Sequence, residues 1–108
     1  MTQPLAGKQI LIVEDEAVFR SLLHSWLTSL GATTVQAGDG VEALQKMAES
    51  KPDLMICDIS MPRMNGLELV EQLRNRGETL PILMISATEN MADIARALRL
   101  GVQDVLLK

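Results

Sequence analysis

The chain has 108 residues, 47% of them hydrophobic, which fits a single globular domain with a sizeable core. A net charge of -4 and only two aromatic residues, Phe19 and Trp26, argue against direct nucleic-acid binding, which favours basic patches and aromatic stacking. The single cysteine, Cys57, excludes an internal disulfide and fits a reducing cytoplasm. No segment has the pattern of a signal peptide or a membrane helix, so we expect a cytoplasmic domain without membrane contact.

The first half of the chain alternates strand and helix patterns. Apolar, β-branched runs indicate strands, and apolar residues that recur at helical spacing indicate helices. These patterns predict, in chain order, a strand over residues 9–13, a helix over 17–30, a strand over 33–36 and a helix over 41–48. Gly31 is a helix stop, and the turn at residues 38–40 can cap the second of these helices.

The second half continues the alternation. The patterns predict a strand over residues 54–58, a helix marked by Leu67, Leu69, Val70 and Leu73 and closed near Gly77, a strand over 81–85 ending at Ser86, a helix over 91–100 and a strand over 104–107. Asn90 can cap the last helix, and Gly101 can terminate it.

The predicted order is a (βα)₄β arrangement, an α/β fold. Strands that alternate with helices favour a parallel sheet covered by helices on both faces. A final strand without its helix leaves one face of that sheet less covered. We therefore expect the natural protein to continue into a fifth helix, and self-association through the uncovered face to be possible.

Polar side chains stand where the predicted strands end. Glu14 and Asp15 follow the first strand, Asp58 ends the third, Ser86 ends the fourth and Lys108 follows the fifth. The carboxyl ends of parallel strands lie along one edge of a sheet, where open α/β folds bind their ligands. The sequence therefore predicts a crevice that contains three carboxylates, a hydroxyl and an ammonium group.

Each of these residues also has an ordinary structural interpretation. Residues 14–16 are all acidic and could favour the start of a helix. Ser86 could be a polar turn residue, and Lys108 a solvated strand end. Asp58 is harder to explain in this way, because the Met-Pro sequence that follows shortly after it needs no helix cap. The coincidence of several strand ends favours a functional site.

Clustered carboxylates repel one another and are relieved by a hard divalent cation, and Mg²⁺ prefers carboxylates, waters and phosphate oxygens. A carboxylate in such a site can attack phosphorus and form an aspartyl phosphate. A lysine and a hydroxyl could then contact the phosphoryl oxygens. The chain has no Gly-rich phosphate loop, so we expect the phosphoryl donor to be another molecule.

The motifs that carry these residues resemble the receiver domain of two-component response regulators over nearly the whole chain. The matching pieces are residues 13–16, residues 58–66, Ser86-Ala87 and Lys108. The resemblance implies a flavodoxin-like, five-stranded parallel sheet of order 2-1-3-4-5. It implies that Asp58 accepts phosphate from a histidine kinase, a phosphotransfer protein or a small phosphodonor.

The resemblance also implies the roles of the other residues. Glu14 and Asp15 match the acidic pair at Mg²⁺, with Asp15 the direct ligand, and the backbone carbonyl of Ser60 matches a further ligand. Ser86 matches the switch hydroxyl, and Lys108 matches the lysine that binds phosphate.

Three segments resemble one member of this family more closely, over residues 1–5, 86–95 and 104–108. That member is an adaptor, so the resemblance implies sigma S and the ClpXP protease as partners, with an output domain outside these 108 residues. Two alternatives stay open. One is a degenerate receiver that signals without phosphate, and the other is a Mg²⁺-dependent phosphatase of the haloacid dehalogenase type. Ser60 stands where that phosphatase group carries a second aspartate.

One position departs from the family pattern. Most receivers carry Tyr or Phe three residues before the lysine, and here that residue is Val105. The usual switch rotates that aromatic ring into space vacated by the hydroxyl residue. We therefore expect phosphorylation to shift this domain less, or by another route.

Two predictions concern the surface. Met91, Ile94, Ala95 and Leu98 form a stripe on the last helix, with Arg96 and Arg99 nearby. The stripe is either wholly buried against the sheet, or exposed at Met91 and Ile94 as a small partner patch. His24 is expected to be a solvated residue.

Overall fold

A computed structural model of the chain describes residues 3–87 and 90–108. Parts of the segments that resemble the adaptor, residues 1–2 and 88–89, lie outside this range. Among the described residues no helix is long and apolar enough to cross a membrane. The elements are β1 (Gln9–Val13), α1 (Ala17–Ser29), β2 (Thr33–Ala37), α2 (Gly40–Ser50), β3 (Leu54–Asp58), α3 (Gly66–Asn75), β4 (Ile82–Ser86), α4 (Met91–Arg99) and β5 (Asp104–Leu107).

The five strands form one parallel sheet in the order β2-β1-β3-β4-β5, which confirms the predicted fold class. Val13 pairs with Cys57, so the carboxylates that follow these two residues lie on neighbouring strands at the same level. Ser86 pairs with Leu107, which places Lys108 one residue further along the same edge. The register of the sheet therefore brings the predicted site residues to one edge.

The sheet has a hydrophobic core on each face. On one face Met55, Cys57 and Met84 pack in a large cluster with side chains from α2, α3 and α4. On the other face a smaller cluster joins Ile12 and Ile85 to residues of α1. Both clusters are built mainly from aliphatic side chains, as the shortage of aromatic residues predicts. Burial, and then the charges of Asp58 and Glu14, raise the pKa of the Cys57 thiol, so it stays neutral.

Several predicted boundaries are wrong by one or two residues. Helix α2 begins at Gly40 because the Asp39 side chain accepts the backbone N–H of Glu42 and caps the helix there. β4 begins at Ile82 because Pro81 has no N–H to donate to the ladder. Helices α1 and α4 each end one residue before the predicted leucine, which serves instead as the C-cap.

The outer side of α1 is more apolar and its histidine less solvated than the sequence suggests. Leu22 and Trp26 belong to the helical pattern, yet their side chains are 61% and 59% exposed. The expectation that His24 is solvated is wrong. Its ring lies half-buried with Nδ1 2.5 Å from Thr34 Oγ1, because α1 packs against β2.

The apolar stripe on α4 is not buried as a whole. Met91 and Leu98 are 72% and 53% exposed, whereas Ala97 is the buried residue of this helix. Ile94 is half-buried, so the alternative of a partly exposed stripe describes the helix better. Arg96 forms an ion pair with Glu71 of α3, at 2.7 Å between Nη2 and Oε2.

Arg74, near the end of α3, binds the loops that lead into β4 and β5. These loops lie at the amino ends of the strands, away from the predicted site. Its guanidinium donates to the carbonyl oxygens of Leu100 at 2.9 Å, Glu78 at 2.9 Å, Leu80 at 3.1 Å and Gly101 at 3.1 Å. One side chain thereby holds the loops that precede β4 and β5. Hydrogen bonds from a charged donor are among the stronger ones in proteins.

We predict that Arg74→Ala lowers the free energy of unfolding by about 2–3 kcal/mol, because four carbonyls lose their donor together. Urea unfolding followed by circular dichroism measures this loss. Arg76→Ala is the matched control, since the exposed Arg76 side chain makes no hydrogen bond or ion pair within the described chain, and we expect a change within about 0.5 kcal/mol. Equal losses in the two variants would contradict the prediction.

Candidate functional site

Glu14 and Asp15 follow β1 but lie in different environments. Glu14 is 1% exposed, whereas Asp15 is an exposed residue. One carboxylate oxygen of Glu14, Oε2, accepts the backbone N–H of Glu16 at 3.0 Å. This bond holds the residue that precedes α1, while the second oxygen of Glu14, Oε1, faces Lys108. Burial, together with the nearby charge of Asp58, raises the pKa of Glu14.

Asp58 ends β3 and is 3% exposed. Its Oδ2 accepts a hydrogen bond of 3.1 Å from Lys108 Nζ. Its Oδ1 is also buried and has no hydrogen-bond partner in the part of the chain that the structure describes. A buried carboxylate oxygen without a partner is costly, so this atom indicates a group that completes the site.

Lys108 joins the two buried carboxylates. Its Nζ lies 2.9 Å from Glu14 Oε1 and 3.1 Å from Asp58 Oδ2, and its side chain is 19% exposed. The contact with Glu14 lacks the alignment of a hydrogen bond and is an ion pair. Burial by itself would lower the pKa of Lys108, but the two carboxylates outweigh it and raise that pKa. The ammonium therefore remains charged at neutral pH. Residue 108 as a whole is exposed, as a strand end would be, but its side chain is largely covered by the site.

Ser86 and the chain near Lys108 form the other side of the site. Ser86 is 5% exposed, and its backbone carbonyl accepts the N–H of Lys108 at 2.8 Å. The side chain is therefore buried at the strand end and does not lie on an open turn. Ser60, predicted to offer its backbone carbonyl, is exposed in the loop after Asp58.

The loop after Asp58 is closed by backbone hydrogen bonds at both ends. The N–H of Ile59 donates to Ile85 at 3.0 Å, and the N–H of Gly66 returns to the Ile59 carbonyl at 2.8 Å. Gly66 packs so closely that a Cβ there would lie 2.1 Å from the carbonyl oxygen of Asp58. The glycine is required by this close approach, which fixes the backbone of Asp58.

The same loop is held from the side by an ion pair that sequence reasoning missed. The Arg63 guanidinium donates to Asp39 Oδ2 through Nη2 and through Nε, the latter at 2.8 Å. Arg63 has a positive φ of 63°, a conformation that residues with side chains rarely adopt. The sequence assigned Asp39 only to a helix cap. No local pattern links the two residues, because 24 positions separate them.

Two further contacts were also missed. Arg20 donates through Nη1 to the backbone carbonyl of Glu14 at 2.6 Å. The ring of Phe19 lies under Lys108, with Nζ 4.9 Å from the ring centroid. Both residues belong to α1, and the sequence pattern shows only that Phe19 is one of its apolar residues. The contacts of Arg20 with Glu14 and of Phe19 with Lys108 arise only when the chain has folded.

The acidic residues of the site fit a divalent metal ion. One carboxylate oxygen from each of Glu14, Asp15 and Asp58 can be chosen so that all lie within 4.8 Å of one another. Two of these residues are buried and the third is exposed, so the group opens toward solvent on one side. Hard oxygen ligands, an orphaned Asp58 Oδ1 and one open side match the preference of Mg²⁺, which keeps several waters.

The fold is that of a response regulator receiver. The family described as the response regulator receiver domain matches residues 10–108, and the chain belongs to this family. Receiver domains are signalling domains that interact with histidine kinases or phosphodonors and bind Mg²⁺ at an acidic pocket.

Within the family, the chain is 75% identical over all 108 residues to Regulator of RpoS (RssB) from Escherichia coli strain K12. It covers 32% of that protein, so the chain spans about a third of the length of this relative. It is also 40% identical to response regulator MprA from Mycobacterium ulcerans, with 93% of this chain and 43% of that protein covered.

Solved structures of receivers share the architecture. A response regulator receiver protein from Pseudomonas putida is similar with a TM-score of 0.90 and 32% identity over 95% of this chain and 87% of that one. The response regulator TrrA from Thermotoga maritima, in complex with Mg²⁺-BeF, is similar with a TM-score of 0.84 and 31% identity over 94% of this chain and 86% of that one. The predicted sheet order is confirmed by this likeness.

The ion pair at Asp39 generates a pH prediction. The backbone N–H of Glu42, and then the Arg63 guanidinium, hold the pKa of Asp39 below its usual range. A lowered carboxyl pKa stabilises the fold above the ordinary value of about 4, and this stabilisation is lost as the pH falls through the folded-state pKa. We predict that Asp39→Asn costs up to about 1 kcal/mol at neutral pH, because Arg63 is largely exposed.

Urea unfolding at a series of pH values measures this cost. The gap in unfolding free energy between the wild type and Asp39→Asn should shrink as the pH falls below about 4. Asp39→Ala also removes the helix cap and should lose about 1 kcal/mol more at neutral pH. A gap between wild type and Asp39→Asn that does not change with pH would rule out the charge contribution.

Proposed function

We propose that this receiver accepts a phosphoryl group on Asp58 and uses it to regulate binding of a protein partner. The donor is a histidine kinase, a phosphotransfer protein or a small phosphodonor. The single observation that carries the proposal is Asp58 Oδ1, a buried carboxylate oxygen that has no hydrogen-bond partner within residues 3–87 and 90–108 and lies beside Glu14, Asp15 and the Lys108 ammonium. A nucleophilic carboxylate next to cationic groups suits phosphoryl transfer.

The proposed reaction is a displacement at phosphorus. An Asp58 oxygen forms a bond to phosphorus, the bond between phosphorus and the donor breaks, and the donor leaves with its electron pair. Lys108 is already placed 3.1 Å from Asp58 Oδ2 and would neutralise charge on the phosphoryl oxygens. We assign the Ser86 hydroxyl, buried at the adjacent strand end, to a hydrogen bond with one of those oxygens.

A metal ion held by the acidic residues would supply the remaining positive charge. Glu14, Asp15, Asp58 and the backbone carbonyl of Ser60 would hold Mg²⁺, which supplies charge neutralisation of the phosphoryl group when bound. Glu14 is poised for this role, since its Oε1 forms an ion pair with Lys108 and accepts no hydrogen bond from the described residues. Asp15, exposed at the open side, is the proposed direct ligand.

We predict that incubation with Mg²⁺ and acetyl phosphate adds one phosphoryl group to the chain. Intact-mass spectrometry detects the adduct, which should be absent in Asp58→Asn and after chelation of Mg²⁺. Asp53→Asn is the matched control, because Asp53 is an exposed carboxylate at the opposite end of the same strand and should leave the adduct unchanged.

The outcomes separate the alternative functions. Absence of an adduct in a folded wild-type protein would favour a degenerate receiver that binds partners without phosphate. Continuous turnover of a phosphoester, with no stable adduct, would favour a phosphatase of the haloacid dehalogenase type. Persistence of the adduct in Asp58→Asn would place the acceptor elsewhere.

Val105 affects how phosphorylation reaches the surface. Its side chain is half-buried and packs against the larger core cluster, where it offers no aromatic ring. We predict that Mg²⁺ and beryllofluoride shift the backbone amide signals of β5 and of the start of α4 less in the wild type than in Val105→Tyr. Two-dimensional NMR measures these shifts. Equally large shifts in both proteins would contradict the prediction.

We further propose that the chain regulates an adaptor that delivers sigma S to the ClpXP protease. The support is 75% identity over the full chain to Regulator of RpoS, a name that refers to this sigma factor. The partly exposed apolar stripe of α4, with Met91 and Leu98, offers a surface for a partner. Self-association through the sheet face that carries α1 stays a prediction.

We predict that this chain can replace the matching segment of E. coli Regulator of RpoS. The chimera should support sigma S degradation by purified ClpXP, and acetyl phosphate should accelerate it. A chimera with Asp58→Asn should lose the acceleration, because its acceptor is gone. No degradation by a folded chimera, under conditions where the intact relative works, would overturn the adaptor proposal.

A further inference from the structure

Among the described residues, the Lys108 ammonium contacts two carboxylates and one aromatic ring. Its Nζ lies 2.9 Å from Glu14 Oε1, 3.1 Å from Asp58 Oδ2 and 4.9 Å from the centroid of the Phe19 ring. The ammonium thus lies between two carboxylates and an aromatic face. A cation within about 6 Å of a ring centroid is attracted by the ring quadrupole, most strongly when it is desolvated.

We propose that Phe19 is a positioning residue that holds the Lys108 ammonium in place when the carboxylates change their partners. This inference rests on the proposed function, because it concerns the state in which Asp58 carries a phosphoryl group. In that state the negative charge that attracts Lys108 moves from the Asp58 carboxylate to the phosphoryl oxygens, and Glu14 has a metal ion as a competing partner. The Phe19 ring is the contact whose chemistry does not change.

The need for such a contact follows from the lysine side chain. Its four methylene groups rotate freely unless they are packed, so two carboxylates alone do not define one position for the ammonium. The backbone of Lys108 is fixed, since its N–H donates to the Ser86 carbonyl at 2.8 Å. The ring then fixes the other end of the side chain.

The position of Phe19 in the core supports this role. The ring is half-buried and packs against the smaller cluster, which includes Ile56 and Ile85 of the two central strands. It is therefore held by the same strands that carry Asp58 and Ser86. Only 19% of the Lys108 side chain is exposed, so most of that side chain is covered by the residues around it.

The contact also indicates where the site connects to the rest of the domain. Phe19 belongs to α1, on the opposite face of the sheet from Val105 and α4. Because Val105 carries no ring, the aromatic group beside Lys108 is on the α1 side. A change in the position of Lys108 would thus alter its contact with α1.

A purely structural role for Phe19 predicts a different mutational pattern. A core residue is replaced best by an apolar side chain of similar volume, so Phe19→Leu should be tolerated. A residue that acts through its aromatic face should tolerate Phe19→Tyr instead. These two variants, with Phe19→Met as a second ring-free variant, separate the roles.

The first measurement uses NMR of lysine labelled with ¹³C at Cε, with Lys108→Arg to assign the signal. In the free wild-type protein the ring current should move the Lys108 ε-methylene signal upfield from those of the other lysines. The shift should persist in Phe19→Tyr and disappear in Phe19→Leu and Phe19→Met. A Lys108 signal that is the same in the wild type and in folded ring-free variants would overturn the proposal.

The second measurement is the affinity for beryllofluoride in the presence of Mg²⁺. We expect Phe19→Leu and Phe19→Met to bind roughly fivefold more weakly, and Phe19→Tyr to stay within about twofold of the wild type. Wild-type affinity in the ring-free variants would overturn the positioning role, whatever the free-state signal.

The two proposals can fail separately. If the wild type binds no beryllofluoride, the proposed phosphoacceptor function fails and the positioning role in the phosphorylated state fails with it. If the wild type binds beryllofluoride and the ring-free variants bind it equally well, only the role of Phe19 fails.

Discussion

The structure depends on one electrostatic arrangement, two buried carboxylates that share a single ammonium group. Glu14 and Asp58 are 1% and 3% exposed, and Lys108 lies within 3.1 Å of both. Removing two negative charges from water beside each other is costly, and one lysine only partly offsets that cost. Two negative charges thus face one positive charge, and Asp58 Oδ1 accepts no hydrogen bond from the described residues. A site that is unsatisfied in this way favours binding of a cation and of a phosphoryl group.

The rest of the fold holds these charges together. Pairing of Val13 with Cys57 sets the two carboxylates level, and the close packing of Gly66 fixes the backbone of Asp58. Around this centre, long-range contacts such as Asp39 with Arg63 hold the neighbouring loops. The buried charges stay close together because the surrounding sheet and loops leave them little freedom to move apart.

The side chains that connect the site with the protein surface differ between the two faces of the sheet. On the α4 side, Val105 supplies no aromatic ring, although Met91 and Leu98 are exposed. On the α1 side, Phe19 contacts the lysine directly. The proposed function therefore combines phosphate acceptance at Asp58 with an altered connection from that site to the partner surface, because Val105 departs from the family pattern.

The sequence by itself determined the alternation of strands and helices, the polar residues at the strand ends and the prominence of Asp58. These features depend on side-chain periodicity and turn chemistry, which act over a few neighbouring residues. Only the tertiary structure decided that Glu14 is buried while Asp15 is exposed, that Trp26 faces outward and that Phe19 meets Lys108. Those outcomes depend on sheet order, register and helix packing, which join residues far apart in the chain and leave no local pattern.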